Sequence, residues 1–238
     1  MHEFKYGQER VHRDQLNQYL AEKRKAGNFK VLDVGGSVGP WFRDNCDAIL
    51  DFVPPVQKFD GDFIEGNITL PEGWDQCLNY VKDNGKFDFV ICRQTLEDIS
   101  HPEFVVNMLQ KVAKAGWIGV PSKQMELMRG WYPEIPTRGL HHHRWIFVTK
   151  NGKWYGLPKM GWTDSLGDRW FHYRTPGGKP RGLELSFYWE KEVNVFWVLP
   201  FVDNLPDDYG DDFVKECMQG VTHPWDLWIN MINNSDHE

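Results

Sequence analysis

No apolar run in the 238-residue chain is long enough to cross a bilayer, and the opening stretch MHEFKYGQERVHRDQLNQYLAEKRK is too polar for a secretory signal. The expectation is a cytoplasmic protein with no membrane partner. Positive charge is also short: 27 Lys and Arg stand against 34 Asp and Glu, a formal net charge of −7. That balance gives no general attraction to nucleic acid, so a small or neutral partner is expected. Cys46, Cys77, Cys92 and Cys217 stand apart, without the close pairs of a zinc site or the density of a disulfide framework, and read as reduced thiols. The dinucleotide fingerprint G-x-G-x-x-G is missing, because Ser37 and Pro40 fall where its later glycines belong. A phosphate loop ending in Gly-Lys-Ser/Thr is missing as well, and so is the Asn-Pro-Pro-Tyr or Asp-Pro-Pro-Tyr with which amino-methylating DNA enzymes hold a flipped base. What the chain has in excess is aromatic surface, with 12 Trp concentrated after residue 115.

From residue 28 to about 122, short apolar runs alternate with helical or loop-like stretches, the pattern of parallel strands joined by crossovers. FKVLDVG, DAILDFV, FIEGNIT, KFDFVICRQ and GWIGVPS read as successive strands. HPEFVVNMLQKVAKAG predicts a helix: Pro102 suits its first turn, Gly116 suits its end, and Phe104, Val105, Met108, Leu109 and Val112 share a face. Further on, RWIFVTKNGKWYGLPK sets Asn151-Gly152 between aromatic-rich runs, a hairpin signal because both turn positions need positive φ. LELSFYWE and VNVFWVLPF are expected to close the sheet as an antiparallel pair. Gly/Pro-punctuated segments 123–145 and 161–181 read as a lid of ordered loops. A single domain over 1–238 is expected, with a core at 28–122, acceptor-side loops and hairpin at 123–182, and closing strands with the C-terminal segment at 183–238.

The chemistry concentrates in VLDVGGSVGPW. Glycine after a strand lets backbone approach a ligand that a Cβ would repel, and amides beyond it receive polar groups. The order is a strand ending in Asp33, a turn Gly35-Gly36-Ser37-Val38-Gly39, and a second acid, Asp51, closing the next strand. It suits a nucleotide-like ligand without pyrophosphate, whose ribose hydroxyls Asp51 accepts. At these residues the chain resembles the class I S-adenosylmethionine-dependent methyltransferases, in particular their small-molecule, type 11-like branch. VLDVGGSVG looks like the family's first motif, Asp/Glu-x-Gly-x-Gly-x-Gly, with Ser37 in place of the middle glycine. FDFVICRQTLEDISHPE resembles its fourth-strand motif, with Asp98 where relatives often carry a histidine. The resemblance covers residues 28 to 122. It implies an α/β fold: a Rossmann-like, doubly wound, seven-stranded, mostly parallel sheet with antiparallel C-terminal strands and an added β-hairpin and lid region. It implies S-adenosylmethionine as cofactor, held by Asp33, Gly35, Gly36, Ser37, Gly39 and Asp51. Asn67-Ile68 stands where an acidic residue recognises the adenine amino group, a task the Asn67 carbonyl oxygen can also perform. Arg93 and Gln94 border the methionine part of the cofactor, and Glu97 the acceptor.

Methyl transfer asks a protein mainly for alignment unless the acceptor must lose a proton. His141-His142-His143 is the notable cluster. On extended chain, alternate residues share a side, so His141 and His143 would face a cleft together. His143, anchored by Arg144 and Trp145, is the preferred general base and His141 the second; the plainer alternative is that the triplet only packs and solvates. No carboxylate lies within ligand spacing of it, so no metal is expected. Arg93 and Arg144 suit either an anionic group on the acceptor or salt bridges with the abundant acids. Trp131, Tyr132, Trp145, Trp154 and Trp162 suit either an aromatic acceptor wall or a core. The expected function is methyl transfer to oxygen or nitrogen of a small polar acceptor such as a sugar, with homo-oligomerisation open. The alternatives are a catalytically weak or inactive cofactor-binding regulator or scaffold, and a nucleic-acid or protein methyltransferase. A nicotinamide-dependent dehydrogenase is disfavoured by the missing fingerprint.

Overall fold

The structure, a computed structural model, describes residues 3–37, 43–128, 138–166, 183–198, 212–219 and 224–236. In chain order they form β1 (Glu3–Gln8), α1 (Glu9–Ala26), β2 (Val31–Val34), β3 (Ala48–Asp51), β4 (Asp62–Glu65), α2 (Asp75–Asn84), β5 (Phe89–Arg93), α3 (Pro102–Val112), β6 (Ala115–Pro121) and α4 (Lys123–Leu127). There follow β7 (Trp145–Lys150), β8 (Lys153–Pro158), β9 (Leu183–Glu190), β10 (Val195–Trp197), α5 (Asp212–Met218) and α6 (Pro224–Asn234). The chain divides into two compact units, Met1–Val120 with Glu184–Val193, and Pro121–Leu183 with Asn194–Glu238.

The first unit carries a seven-stranded sheet in the order β1-β9-β6-β5-β2-β3-β4. β2 runs parallel to β3 and β5, β3 to β4, and β5 to β6, while β9 is antiparallel. This is the Rossmann-like, doubly wound arrangement that the resemblance implied, with the parallel strands that the strand–crossover rhythm gave. Winding from β2 proceeds outward through β3 and β4, then reverses through β5 and β6, which puts the topological switch point at the carboxyl ends of β2 and β5. β2 and β3 are buried along their whole length, as strands covered on both faces must be. α1 lays Leu16 and Leu20 against Val31, Phe89, Ile91 and Trp117.

One local expectation needed correction in this unit. The helix after β5 stops at Val112, and Gly116 is already inside β6. A Cβ at Gly116 would lie 2.7 Å from Val90 Cγ1 and 2.8 Å from the Trp189 ring, so this glycine serves close strand packing and does not end the helix. β1 went unread because EFKYGQ is short and polar, a composition tolerated at a sheet edge.

In the second unit β7 and β8 form the expected hairpin, with Asn151 and Gly152 at φ 50° and 73°. β10 pairs in parallel with β8 to give the order β10-β8-β7, so VNVFWVLPF does not partner LELSFYWE. The reason is steric: a Cβ at Gly156 would sit 2.5 Å from the Trp197 ring, and its absence lets Trp197 close on the hairpin, edge-on to Trp145 at 5.4 Å. Trp154 and Trp162 are fully buried and Trp145 nearly so, which makes them core and not an exposed acceptor wall. Trp162 belongs to a cluster with Ile146, Tyr155, Trp228 and Met231. Trp131, Tyr132 and most of the expected lid, at 129–137 and 167–182, lie outside the described residues. All four cysteines are buried free thiols. No described helix is long and apolar enough to cross a membrane.

Candidate functional site

At the switch point the backbone after β2 makes two contacts that only glycine allows. Gly35 adopts φ 78°, and a Cβ there would stand 2.7 Å from Thr95 Oγ1. A Cβ at Gly36 would stand 2.1 Å from Asp33 Oδ2, so the turn lies directly on the Asp33 carboxyl. The chain then reaches Asp51 at the end of β3: Ser37 N donates to Asp51 Oδ2 at 3.1 Å, and Phe52 N and Val53 N donate to Oδ1 at 2.7 and 3.3 Å. Each carboxylate oxygen carries about two lone pairs, so Asp51 keeps acceptor capacity beyond these amides. Ser37 Oγ is buried and has no hydrogen-bond partner among the described residues. Across the switch point, Gln94 holds φ 49°, an unusual conformation for a side-chain-bearing residue, and its amide donates to Gly119 O at 2.8 Å. Thr95 and Glu97 behind it are buried. Gly39 lies outside the described residues.

Burial pushes the Asp33 carboxyl up to about 7; Arg93 opposes the rise and the Asp51 charge adds to it. The folded protein therefore holds a proton that the unfolded chain releases near pH 4. The associated stability is complete below that pH and is lost as pH rises toward 7, at a limiting slope on the order of 1.4 kcal/mol per pH unit. Asp33→Asn is expected to flatten the pH 4–7 limb of a urea-denaturation series; the same limb in parent and variant would place that proton elsewhere.

Two expected ligand contacts are engaged within the chain. Arg93 Nε donates to Glu184 Oε2 at 3.0 Å, and its NH2 pairs with Glu9, while Gln94 Nε2 reaches the same Glu184 oxygen at 3.4 Å. Of the two roles open to Arg93, the structure realises salt bridges. The exposed Asn67 turns its carbonyl oxygen to Thr69 N (3.0 Å) and Thr69 Oγ1 (2.7 Å), a local turn in place of a free adenine acceptor. Ile68 is buried, and its carbonyl accepts from Trp74 Nε1. Glu184, which joins β9 to Arg93, carried no signal beyond being an acid in a strand.

The histidine triplet lies in the second unit. Residues 141–142 form a turn, not extended chain, so the alternation fails: His141 and His142 are exposed and His143 is buried. His143 Nδ1 is bonded to Glu126 Oε1. Glu126 Oε2 accepts Lys159 Nζ at 2.5 Å, and Lys159 also donates to Leu140 O at 2.8 Å. Gly139, at φ 57°, brings the chain onto α4; a Cβ there would meet Glu126 O at 2.5 Å. Buried Arg138 donates to Leu127 O (2.9 Å) and Leu166 O (2.6 Å), fixing the same turn. A carboxylate on Nδ1 orients the imidazole and fixes its place in the turn. Arg144 is exposed. Sequence reasoning missed Glu126 and Lys159; the one available signal was an acid inside the apolar run MELM.

No protein-family model and no curated protein matches the sequence. Among solved structures the chain is similar to magnesium protoporphyrin IX methyltransferase from Synechocystis PCC 6803. With SAH bound, that similarity is 11% identity over 75% of this chain and 81% of that one, at a TM-score of 0.39. With SAM bound it is 14% identity over 48% of this chain, spanning 59% of that chain's length, at a TM-score of 0.34. The chain is also similar to the methyltransferase domain of bacterial CtHen1-C, at 10% identity over 77% of this chain and 100% of that one, with a TM-score of 0.36.

Proposed function

We propose that the chain is a cytoplasmic S-adenosylmethionine-dependent methyltransferase acting on oxygen or nitrogen of a small polar acceptor, such as a sugar. The observation that carries this reading is the acid–glycine–acid cradle at the switch point, where a Cβ at Gly36 would fall on the Asp33 carboxyl. The buried Ser37 Oγ, unpartnered among the described residues, and the remaining lone pairs of Asp51 fit a ligand rich in hydroxyls and uncharged donors. When bound, the cofactor supplies a methyl carbon already electrophilic on its sulfonium. The chain's own work is to hold and align: Asp51 accepts the ribose hydroxyls, Gly35 and Gly36 let the turn close onto Thr95 and Asp33 beside it, and the Gln94 turn presents the segment ending in Glu97 to the acceptor. His143, oriented by Glu126, takes the proton of a hydroxyl acceptor. The acidic net charge supports a small acceptor over nucleic acid.

Calorimetry with S-adenosylhomocysteine tests the cradle. Asp51→Ala is expected to weaken binding by about 10- to 150-fold, the equivalent of losing hydrogen bonds to a charged acceptor worth roughly 1.5–3 kcal/mol. Equal affinity in parent and variant would remove Asp51 from the ribose. A second reading, a cofactor-binding regulator without turnover, is favoured by the engagement of Asn67 and Arg93 within the chain. Transfer of a labelled methyl group into a cell extract separates the two, with mass spectrometry of copurifying molecules naming the acceptor.

A further inference from the structure

On the α1 face of the first unit's sheet, a cavity of about 350 Å³ opens between α1, β1, β6 and β9. None of the described residues lining it belongs to the Gly35–Asp51 cradle. Its volume falls within the roughly 300–1,000 Å³ of small-molecule sites. Leu16, Tyr19, Trp117 and Tyr188 form the walls, and His12, Ser186 and the exposed Lys5 and Gln15 complete the lining. We propose that this cavity binds a flat aromatic or heteroaromatic molecule that carries N–H or O–H donors.

The walls set the shape. Tyr19 and Tyr188 stand edge-to-face at 6.1 Å, and each packs on Phe89, at 5.6 and 5.9 Å, so both rings are braced from behind while staying half-buried. Lys23 Nζ also stands over the Tyr19 ring, 5.4 Å from its centroid, so the ring is held in one orientation, and fixed flat walls select a planar ligand over a branched one of equal volume.

The polar atoms set the chemistry. Tyr188 donates its hydroxyl proton to Glu190 Oε1 at 3.1 Å, and the Tyr19 and Tyr188 oxygens lie 3.3 Å apart. The proton of Tyr19 therefore falls on Tyr188, and the Tyr19 oxygen is left as an acceptor. Burial, with Tyr19 and Glu190 alongside, pushes the Tyr188 phenol well above its ordinary range, which keeps this proton chain intact. Among the other lining residues, His12 Nδ1 lies 3.0 Å from Ser186 Oγ and 3.3 Å from Glu184 Oε1, and Gly7, where a Cβ would stand 2.8 Å from Nε2, lets β1 pass close to the ring. A cavity that offers ring faces and hydroxyl lone pairs recognises a donor-bearing flat molecule.

The test uses 2-aminobenzimidazole as probe and cyclohexylamine as its non-planar control, by calorimetry and amide chemical-shift mapping on the whole chain. The expected result is sub-millimolar binding of the probe, with shifts confined to α1, β1, β6 and β9, and at least tenfold weaker binding of the control. Tyr19→Phe, which removes the acceptor oxygen and keeps the ring, is expected to weaken the probe by about tenfold. Leu16→Trp is expected to fill the cavity and abolish binding; should it fail to fold, Tyr19→Phe still decides. Absent probe binding, equal binding of the control, unchanged affinity in Tyr19→Phe, or displacement of the probe by S-adenosylhomocysteine would each overturn the proposal. The calorimetry of the Asp51 variant is independent of all four results.

Discussion

His143→Ala is expected to lower methyl transfer into the acceptor by about 10²–10⁴-fold while affinity for S-adenosylhomocysteine stays close to the parent's, since general-base contributions fall in that range. The expectation rests on the way the imidazole is held. His143 is buried, its Nδ1 is committed to Glu126, and Arg138 ties the backbone of its turn to two carbonyls. A ring held through Nδ1 by a buried carboxylate keeps one orientation, which a base needs and an exposed histidine lacks. His141→Ala, on the exposed turn, is expected to keep near-parent turnover. His143→Asn, closer in size, controls for packing: a fall as large as that of the Ala variant, with unchanged thermal stability, assigns the loss to proton transfer. Near-parent rates in both His143 variants on the identified acceptor would make alignment alone sufficient and the histidine structural.

The second large effect is on stability. Glu126→Ala is expected to cost about 3–5 kcal/mol in urea denaturation followed by tryptophan fluorescence, the range seen when one member of a buried charged network is removed. Glu126 is 2% exposed and Lys159 9%, so neither charge has solvent to fall back on. Taking away the carboxylate leaves Lys159 with a carbonyl contact at Leu140 but no counter-charge. The combined replacement Glu126→Leu with Lys159→Met is expected to recover most of the loss, because removing both charges also removes the cost of burying them. A loss under about 1 kcal/mol for Glu126→Ala would mean that the cluster is solvated like a surface pair.

The cradle and the triplet differ in how far they could be read in advance. Asp33, Gly35, Gly36 and Asp51 lie within a short span whose spacing is set by one strand, one turn and the next strand, so local sterics suffice to bring them together. His143, Glu126 and Lys159 are separated by 17 and 33 positions from one another's partners. Their meeting depends on the positive φ of Gly139 and on the return of the hairpin, neither of which a histidine triplet announces.

The sequence by itself determined the parallel strands β2 to β6, the helix α3 and the Asn-Gly hairpin, because continuous apolar runs, a helical apolar face and positive-φ turn residues are local properties of neighbouring positions. Only the tertiary structure decided that β1 takes a sheet edge, that β10 lies on β8, and that Arg93 closes onto Glu184, 91 positions away. Strand partners and buried ion pairs are chosen by shape and charge across the folded unit: Trp197 goes where Gly156 leaves room, and a buried guanidinium goes where a carboxylate meets it. Such choices compare distant segments with one another, and no window of neighbouring residues contains the comparison.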